Sequence, residues 1–223
     1  MERYGGRGLD RRPVVRNDMP SEIVKAITPS SRPVRLVFMG FLQADRPVEE
    51  LITAVSLAST DVTLTLQGEN RLGDAPQRLI DRLGLSGRVS ILGPCHPTEV
   101  VQTASRYDIG VVPLRGIDEN ERRATTTKCF TYMSAGLVIL GSNLPGIARV
   151  VNGHRNGILV DGMEPAAWAE AMNRLAAMPA DELDAMKQRS LDAARTYAWD
   201  KQKPAFIGEF VRALAHEADG DTT

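Results

Sequence analysis

Six short runs rich in β-branched residues recur along the chain: VRLVFMG (34–40), VTLTLQG (62–68), RVSILG (88–93), IGVVPL (109–114), LVILGS (137–142) and GILVD (157–161). Helix-period segments separate them, and this alternation marks parallel βαβ units, because parallel strands can be joined only by a crossover long enough to hold a helix. Helices are predicted over 48–58, 75–83 and 97–106, the last capped by Thr98. Strands of such a sheet are covered on both faces, so their continuous apolar character concerns packing and carries no functional message. The predicted fold class is α/β, a Rossmann-like doubly wound parallel sheet of six strands with a C-terminal helical tail.

The two ends differ from this pattern. Residues 1–32 are rich in Arg, Gly, Pro and Ser with little periodicity, which predicts an irregular lead-in with a short helix near 21–26. The Rossmann-like domain is expected over 33–178. Helical segments at 165–177, 181–197 and 199–216 follow the last strand with none between them, so 179–223 is read as a helical tail packed through Trp168, Trp199, Phe206 and Phe210. A chain of 223 residues, 43% hydrophobic, supplies one core more readily than two.

Composition excludes several function classes. Twenty-seven Lys and Arg against 28 Asp and Glu leave a net charge of -1, which gives no whole-chain attraction to nucleic acid or an anionic membrane. No apolar run is long enough for a transmembrane segment or a secretory leader. Cys95 and Cys129 are far apart and without zinc spacing, so they read as reduced thiols and the expected location is cytoplasmic. His96 reads as a loop histidine of no special role, His154 and His216 as surface residues, and Cys129 as a small buried residue. The first strand runs into GFLQADR and lacks the G-x-G-x-x-G turn, which argues against a dehydrogenase.

Open parallel sheets bind ligands beyond the carboxyl ends of their strands, where helix N-termini present unpaired N–H groups. The loops to inspect are 40–47, 68–74, 93–97, 114–127 and 141–145, most of which open with a glycine such as Gly40 or Gly68. Any one of these glycines is as readily an ordinary strand-ending turn as a place where an anion meets the main chain. The segment ATTTKCFTYMSAG (124–136) is more suggestive, since Thr125, Thr126, Thr127 and Lys128 fall where a helix should begin. Spacing alone leaves two readings open: a plain N-cap followed by a surface lysine, or an anion cradle of hydroxyls, free N–H groups and one compact charge.

Several ordered segments now bear on that choice. GFLQADRPVEELITA, LTLQGEN, LGLSGRVSILGPCHPTEVV, YDIGVVPL and IDENERRATTTKCFTYMSAGLVILGSNLPGIARVVNGHRNGILVD follow one another with spacing similar to the C-terminal, donor-binding half of retaining GT-B glycosyltransferases of the large group 1 (glycogen synthase-like) family. Tyr197, Ala198 and Trp199 resemble the aromatic stretch before that family's closing helix, and PVVRND (13–18) resembles the segment that enters its C-terminal domain. The resemblance implies binding of a UDP- or GDP-sugar as donor substrate, with no further cofactor and no metal. The positions matching the family's phosphate-binding basic pair are Arg46 and Lys128, and Asn120 matches the asparagine eight residues before that lysine. Gly40, Gly68, Thr126, Thr127 and Thr131 complete the substrate-binding set so implied, and no catalytic residue is assigned.

Three departures accompany the resemblance. Phe41 stands where the family has a first-loop arginine, which weakens the diphosphate clamp. Arg123 and Thr131 stand where it carries two glutamates, the later expected on the ribose hydroxyls; a threonine makes only neutral hydrogen bonds, whereas a carboxylate accepts charge-assisted ones. Glu119 and Glu121 lie in the same loop, either as compensating or as merely solvated carboxylates. The chain also has no room for the N-terminal Rossmann-like domain that supplies the acceptor side of a GT-B cleft. Two functions follow as alternatives: a donor-binding domain that is inactive alone and works with an N-terminal domain or subunit, or a non-catalytic nucleotide-sugar-binding or scaffold module. Tail helices that bridge to the other domain in a full enzyme would here favour self-association as a homo-oligomer.

Overall fold

The computed structural model describes residues 22–59, 61–198, 201, 203, 204, 207 and 208. All six predicted strands form within it: β1 (Val34–Met39), β2 (Val62–Gln67), β3 (Val89–Leu92), β4 (Ile109–Val112), β5 (Val138–Ser142) and β6 (Gly157–Val160). They make one parallel sheet in the order β3-β2-β1-β4-β5-β6, so the winding reverses between β1 and β4. The helices are α1 (Val48–Leu57), α2 (Ala75–Arg82), α3 (Val100–Ala104), α4 (Glu119–Arg123), α5 (Thr127–Ser134), α6 (Pro145–His154), α7 (Pro165–Ala177) and α8 (Ala180–Tyr197).

Two apolar layers cover the sheet, and the period-two alternation of side chains sorts β1 between them. Leu36 and Phe38 join Leu51, Ile52, Trp168 and Met172 of α1 and α7 on one face. Val37 and Met39 join Phe130, Met133, Ile147 and Leu191 of α5, α6 and α8 on the other. The predicted tail helix α8 is thus part of a core layer. Trp168 packs as expected, buried with its indole N–H donated to the Gly162 carbonyl (3.1 Å). Of the expected helix over 199–216 only 201, 203, 204, 207 and 208 are described, all helical; Trp199, Phe206, Phe210 and His216 lie outside the described residues, as does PVVRND.

Two local expectations are corrected. Residues 22–26 form no helix, because their polar groups are taken by tertiary partners: the Val24 N–H bonds the Ser134 carbonyl (2.9 Å) and the Lys25 carbonyl accepts from Arg195 (3.2 Å). Thr98 does not cap α3. It lies inside a 3-10 turn (Pro97–Glu99), where the His96 ring nitrogen Nδ1 accepts the Thr98 N–H (3.4 Å) and pairs with its hydroxyl (2.8 Å).

At the amino end of the sheet Asp108, just before β4, is fully buried. Its carboxylate takes the backbone N–H of Arg35 (3.0 Å), a bidentate bond from the Arg35 guanidinium (2.9 and 3.1 Å) and the Lys187 ammonium of α8 (2.9 Å). Lys187, 1% exposed, also donates to the Thr28 carbonyl (2.6 Å). Burial alone would raise the Asp108 carboxyl, but these bonds and the Lys187 charge hold it below the usual carboxylate range. The network ties the lead-in, β1, β4 and α8 together.

Candidate functional site

At the opposite edge β1 and β4 part company. They pair only at Leu36↔Ile109 and Val37↔Gly110, which leaves the Met39 N–H without a strand partner. Tyr132 of α5 fills the gap: its hydroxyl accepts that N–H (3.0 Å) and donates to the Val111 carbonyl (3.5 Å). Its ring occupies the space above Gly110, where a Cβ would stand 2.2 Å from ring carbons, so the strand needs glycine there. Burial pushes the phenol pKa up, which keeps the hydroxyl neutral. A wedge between strands at the switch point opens the crevice where such sheets hold ligands.

α5 starts at the mouth of this crevice. Thr126 is its N-cap residue in extended conformation, but its hydroxyl points to the Cys129 sulfur (3.9 Å) and no side chain caps the helix. The Thr125 hydroxyl donates to the Gly146 carbonyl (3.0 Å) and Thr127 is exposed. The threonines therefore shape the entry to α5 and leave its first N–H groups unclaimed by side chains. The expectation that the threonine hydroxyls line an anion cradle does not match this bond at Thr125, whose hydroxyl is buried against Gly146.

Lys128 reaches across the crevice to β1. Its Cε and Nζ lie 3.1 and 3.2 Å from where a Cβ on Gly40 would stand, and Nζ is 5.6 Å from the centroid of the Phe38 ring. No carboxylate lies within 4.0 Å of it among the described residues. Desolvation, and then the positive charge of Arg46, push the Lys128 ammonium below the ordinary lysine range. Arg46 lies near enough for its charge to act on Lys128, and its guanidinium also lies near Asp45 (3.6 Å) and Glu121 (3.8 Å).

The floor is main chain. A Cβ on Gly68 would stand 2.0 Å from the Gly40 carbonyl oxygen, so only glycine lets the tips of β1 and β2 lie together there. Beside that floor a cleft of about 300 Å³ opens between the tips of β1, β2 and β3, lined by Gly40, Phe41, Gln67, Gly68, Pro94 and Cys95 among others. Phe41, 48% exposed, stands at its rim with the Arg71 guanidinium 3.9 Å over its ring, and Arg71 is held by Glu69 (2.8 Å) and Gln43 (3.3 Å).

Gly40, Gly68, Arg46 and Lys128 thus come together. Thr131 sits one turn beyond Lys128 in α5 and is buried. Asn120 stands exposed on α4, a short helix capped by Asp118, and no side-chain bond ties it to Lys128. Glu119 is paired with Arg123, and Glu121 accepts the Ile117 N–H (2.9 Å) besides facing Arg46, so both loop carboxylates are engaged. His154 is not a free surface residue: it is half-buried against Tyr197, whose hydroxyl it meets at 2.9 Å. Sequence reasoning missed Gln67 and Arg71. The signal for Gln67 was present, a carboxamide ending the apolar strand VTLTLQ. Among the described residues no group of three or more His, Cys, Asp or Glu is placed to hold a metal ion, and no helix is long and apolar enough to cross a membrane.

Comparison with known proteins agrees with this architecture. The D-inositol 3-phosphate glycosyltransferase of Corynebacterium glutamicum (strain R) is 28% identical over 198 residues, which are 84% of this chain and 46% of that protein. The chain therefore spans about half the length of the curated relatives it matches. Among solved structures, the pneumococcal O-GlcNAc transferase GtfA in complex with UDP and GlcNAc superposes with a TM-score of 0.68 at 17% identity, over 86% of this chain and 38% of that one. The C-terminal domain of the group 1 glycosyl transferase LpcC from Francisella tularensis gives 0.60 at 16% identity, over 75% and 86%. These two likenesses concern the fold, a GT-B Rossmann-like one. Residues 33–178 match the family described as Glycosyl transferases group 1, and the chain belongs to that family.

Proposed function

We propose that this chain binds a nucleoside-diphosphate sugar at the carboxyl edge of its sheet, as the donor half of a retaining glycosyltransferase. The observation that carries the reading is Lys128, a desolvated ammonium with no carboxylate near it, set against the Gly40 backbone at the start of α5. A diphosphate would supply the missing negative charge, with Arg46 and the first N–H groups of α5 as further donors. The adjoining cleft offers the base and ribose an apolar slot over the Gly40–Gly68 floor. Transfer needs an acceptor wall and a water-poor cleft, which an N-terminal domain would provide. The test is calorimetric titration with UDP and GDP: micromolar to millimolar binding of one of them is expected, and Lys128→Ala should weaken it at least about tenfold, some 1.4 kcal/mol. Unchanged affinity in a folded Lys128→Ala chain would overturn the reading.

One observation favours the second reading, binding without transfer: Thr131 is buried where the family carries its ribose-binding glutamate. Thr131→Glu distinguishes the two. In a donor pocket that has lost one ligand it tightens UDP or GDP by about 1–2 kcal/mol, the scale of one charge-assisted hydrogen bond. In a pocket closed around threonine the new carboxylate is desolvated and unpaired, and the melting temperature falls with no gain in binding.

A further inference from the structure

The geometry points to Gln67 as the residue that reads the nucleobase, an assignment that rests on the donor-site reading above. Gln67 is 8% exposed, yet it lines the cleft between β1, β2 and β3. Its Nε2 donates to the Gly93 carbonyl (2.5 Å), a contact that fixes which end of the amide is nitrogen, since a carbonyl oxygen there would repel the amide oxygen. Oε1 accepts no hydrogen bond among the described residues. Oε1 is not among the buried side-chain atoms that lack a partner, so it keeps access to the open cleft, where a ligand's donor can reach it. The rest of the cleft wall is backbone, Met39, Phe41, Pro94, Cys95, Val100 and Glu69, whose carboxylate is held by Arg71 (2.8 Å), so Gln67 is the amide able to give the slot a directional preference.

The chemistry it recognises follows from the amide. Oε1 accepts, and the second Nε2 hydrogen donates beside it, which complements an N–H next to a C=O. Uracil carries that pair at N3 and O4, as guanine does at N1 and O6, and the single-ring uracil is the one taken here for a cleft of about 300 Å³. The slot between strand tips, with the Gly40–Gly68 floor on one side and Phe41 at the rim, accommodates a planar ring, while Lys128 lies on the far side of Gly40 where a diphosphate joined to that ring would extend.

The experiment is titration of UDP, N3-methyl-UDP and inorganic pyrophosphate into the natural chain and into Gln67→Met. Gln67→Met should weaken UDP about tenfold, the loss of one hydrogen bond in a buried site, and leave pyrophosphate within about twofold. N3-methyl-UDP, which lacks the N–H, should bind the natural chain about tenfold more weakly than UDP, and this difference should vanish in Gln67→Met, as the coupling in a double-mutant cycle requires. UDP binding that is equal in both chains, or a methyl penalty of the same size in both, overturns the assignment and leaves the diphosphate reading standing. If the natural chain binds pyrophosphate but not UDP, the base assignment fails alone; if it binds neither, both fail. Should Gln67→Met not fold, the natural chain decides: equal binding of UDP and N3-methyl-UDP overturns the assignment.

Discussion

Lys187 and Lys128 sit at opposite edges of one sheet and are treated in opposite ways. Lys187, at the amino edge, is more deeply buried, and its charge is matched: Asp108 and the Thr28 carbonyl receive it, and Arg35 shares the same carboxylate. Lys128, at the carboxyl edge, is desolvated with another cation nearby and no carboxylate in reach. A fold that sets two cations, Arg35 and Lys187, around Asp108 is able to neutralise a buried lysine. Among the described residues it leaves Lys128 without a carboxylate, beside a bare backbone floor and a helix start, which is the contrast on which the proposed donor site rests. The amino edge ties four segments of the chain together through matched charges; the carboxyl edge carries a lysine without such a match among the described residues.

Substitutions at the two edges should separate these roles. The largest effect is expected from Asp108→Ala, which leaves Lys187 in the core with the Thr28 carbonyl but no counter-charge and should cost about 3–5 kcal/mol in urea unfolding. A loss under about 1 kcal/mol would mean that water reaches Lys187 and that the two edges are not so different. Lys128→Met should do the reverse: without nucleotide the chain is as stable as before or gains up to about 1 kcal/mol, because an unpaired, partly desolvated charge has been removed. A clear destabilisation would show that Lys128 is structural. Tyr132→Phe bears on the wedge between β1 and β4; the orphaned Met39 N–H should cost about 1–2 kcal/mol, read from thermal unfolding.

The smallest effect, and the one that contrasts the edges most directly, is in pH. Asp108 has a lowered pKa in the fold, so its stabilisation is fully present above the ordinary carboxylate range and is lost as pH falls through that range toward the folded value. Lys128 also has a lowered pKa, but for a base this is a penalty on the charged folded state; it is full below the folded pKa and disappears as pH rises to the ordinary lysine value of about 10.4. The stability difference between natural and Lys128→Met chains should therefore close on the alkaline side, while that between natural and Asp108→Asn chains closes on the acid side. Differences that stay constant with pH would remove the electrostatic account of both edges.

Much of this was legible before any coordinates. The six strands could be read because buried parallel strands are short, apolar and bounded by turn residues, so local pattern and tertiary role coincide. Gly40, Gly68, Arg46 and Lys128 could be gathered because they fall in loops that the topology brings to one edge. The Thr125 hydroxyl was not legible, since a sequence does not say whether a hydroxyl turns to the helix start or, as Thr125 does, to the carbonyl of Gly146 on another element. The lead-in misled for a related reason: residues 22–26 have a helix-compatible composition, but α5 and α8 offer their backbone groups better partners. His154 looked like a surface residue because Tyr197 lies 43 positions away.

What the sequence by itself determined is the order and class of the elements, the edge that collects the glycine-led loops and the family resemblance, all properties of local periodicity and motif spacing. What only the tertiary structure decided is which charges are matched. Lys128 and Lys187 are both lysines in helices, and although the threonines before Lys128 mark a helix start, no residue within a few positions of either says whether its charge is matched. The difference lies in Asp108 and Thr28, 79 and 159 positions from Lys187, and in the Gly40 backbone that faces Lys128. The cost of a buried charge is set by whatever folding brings within a few ångströms of it, and sequence neighbours supply little of that environment.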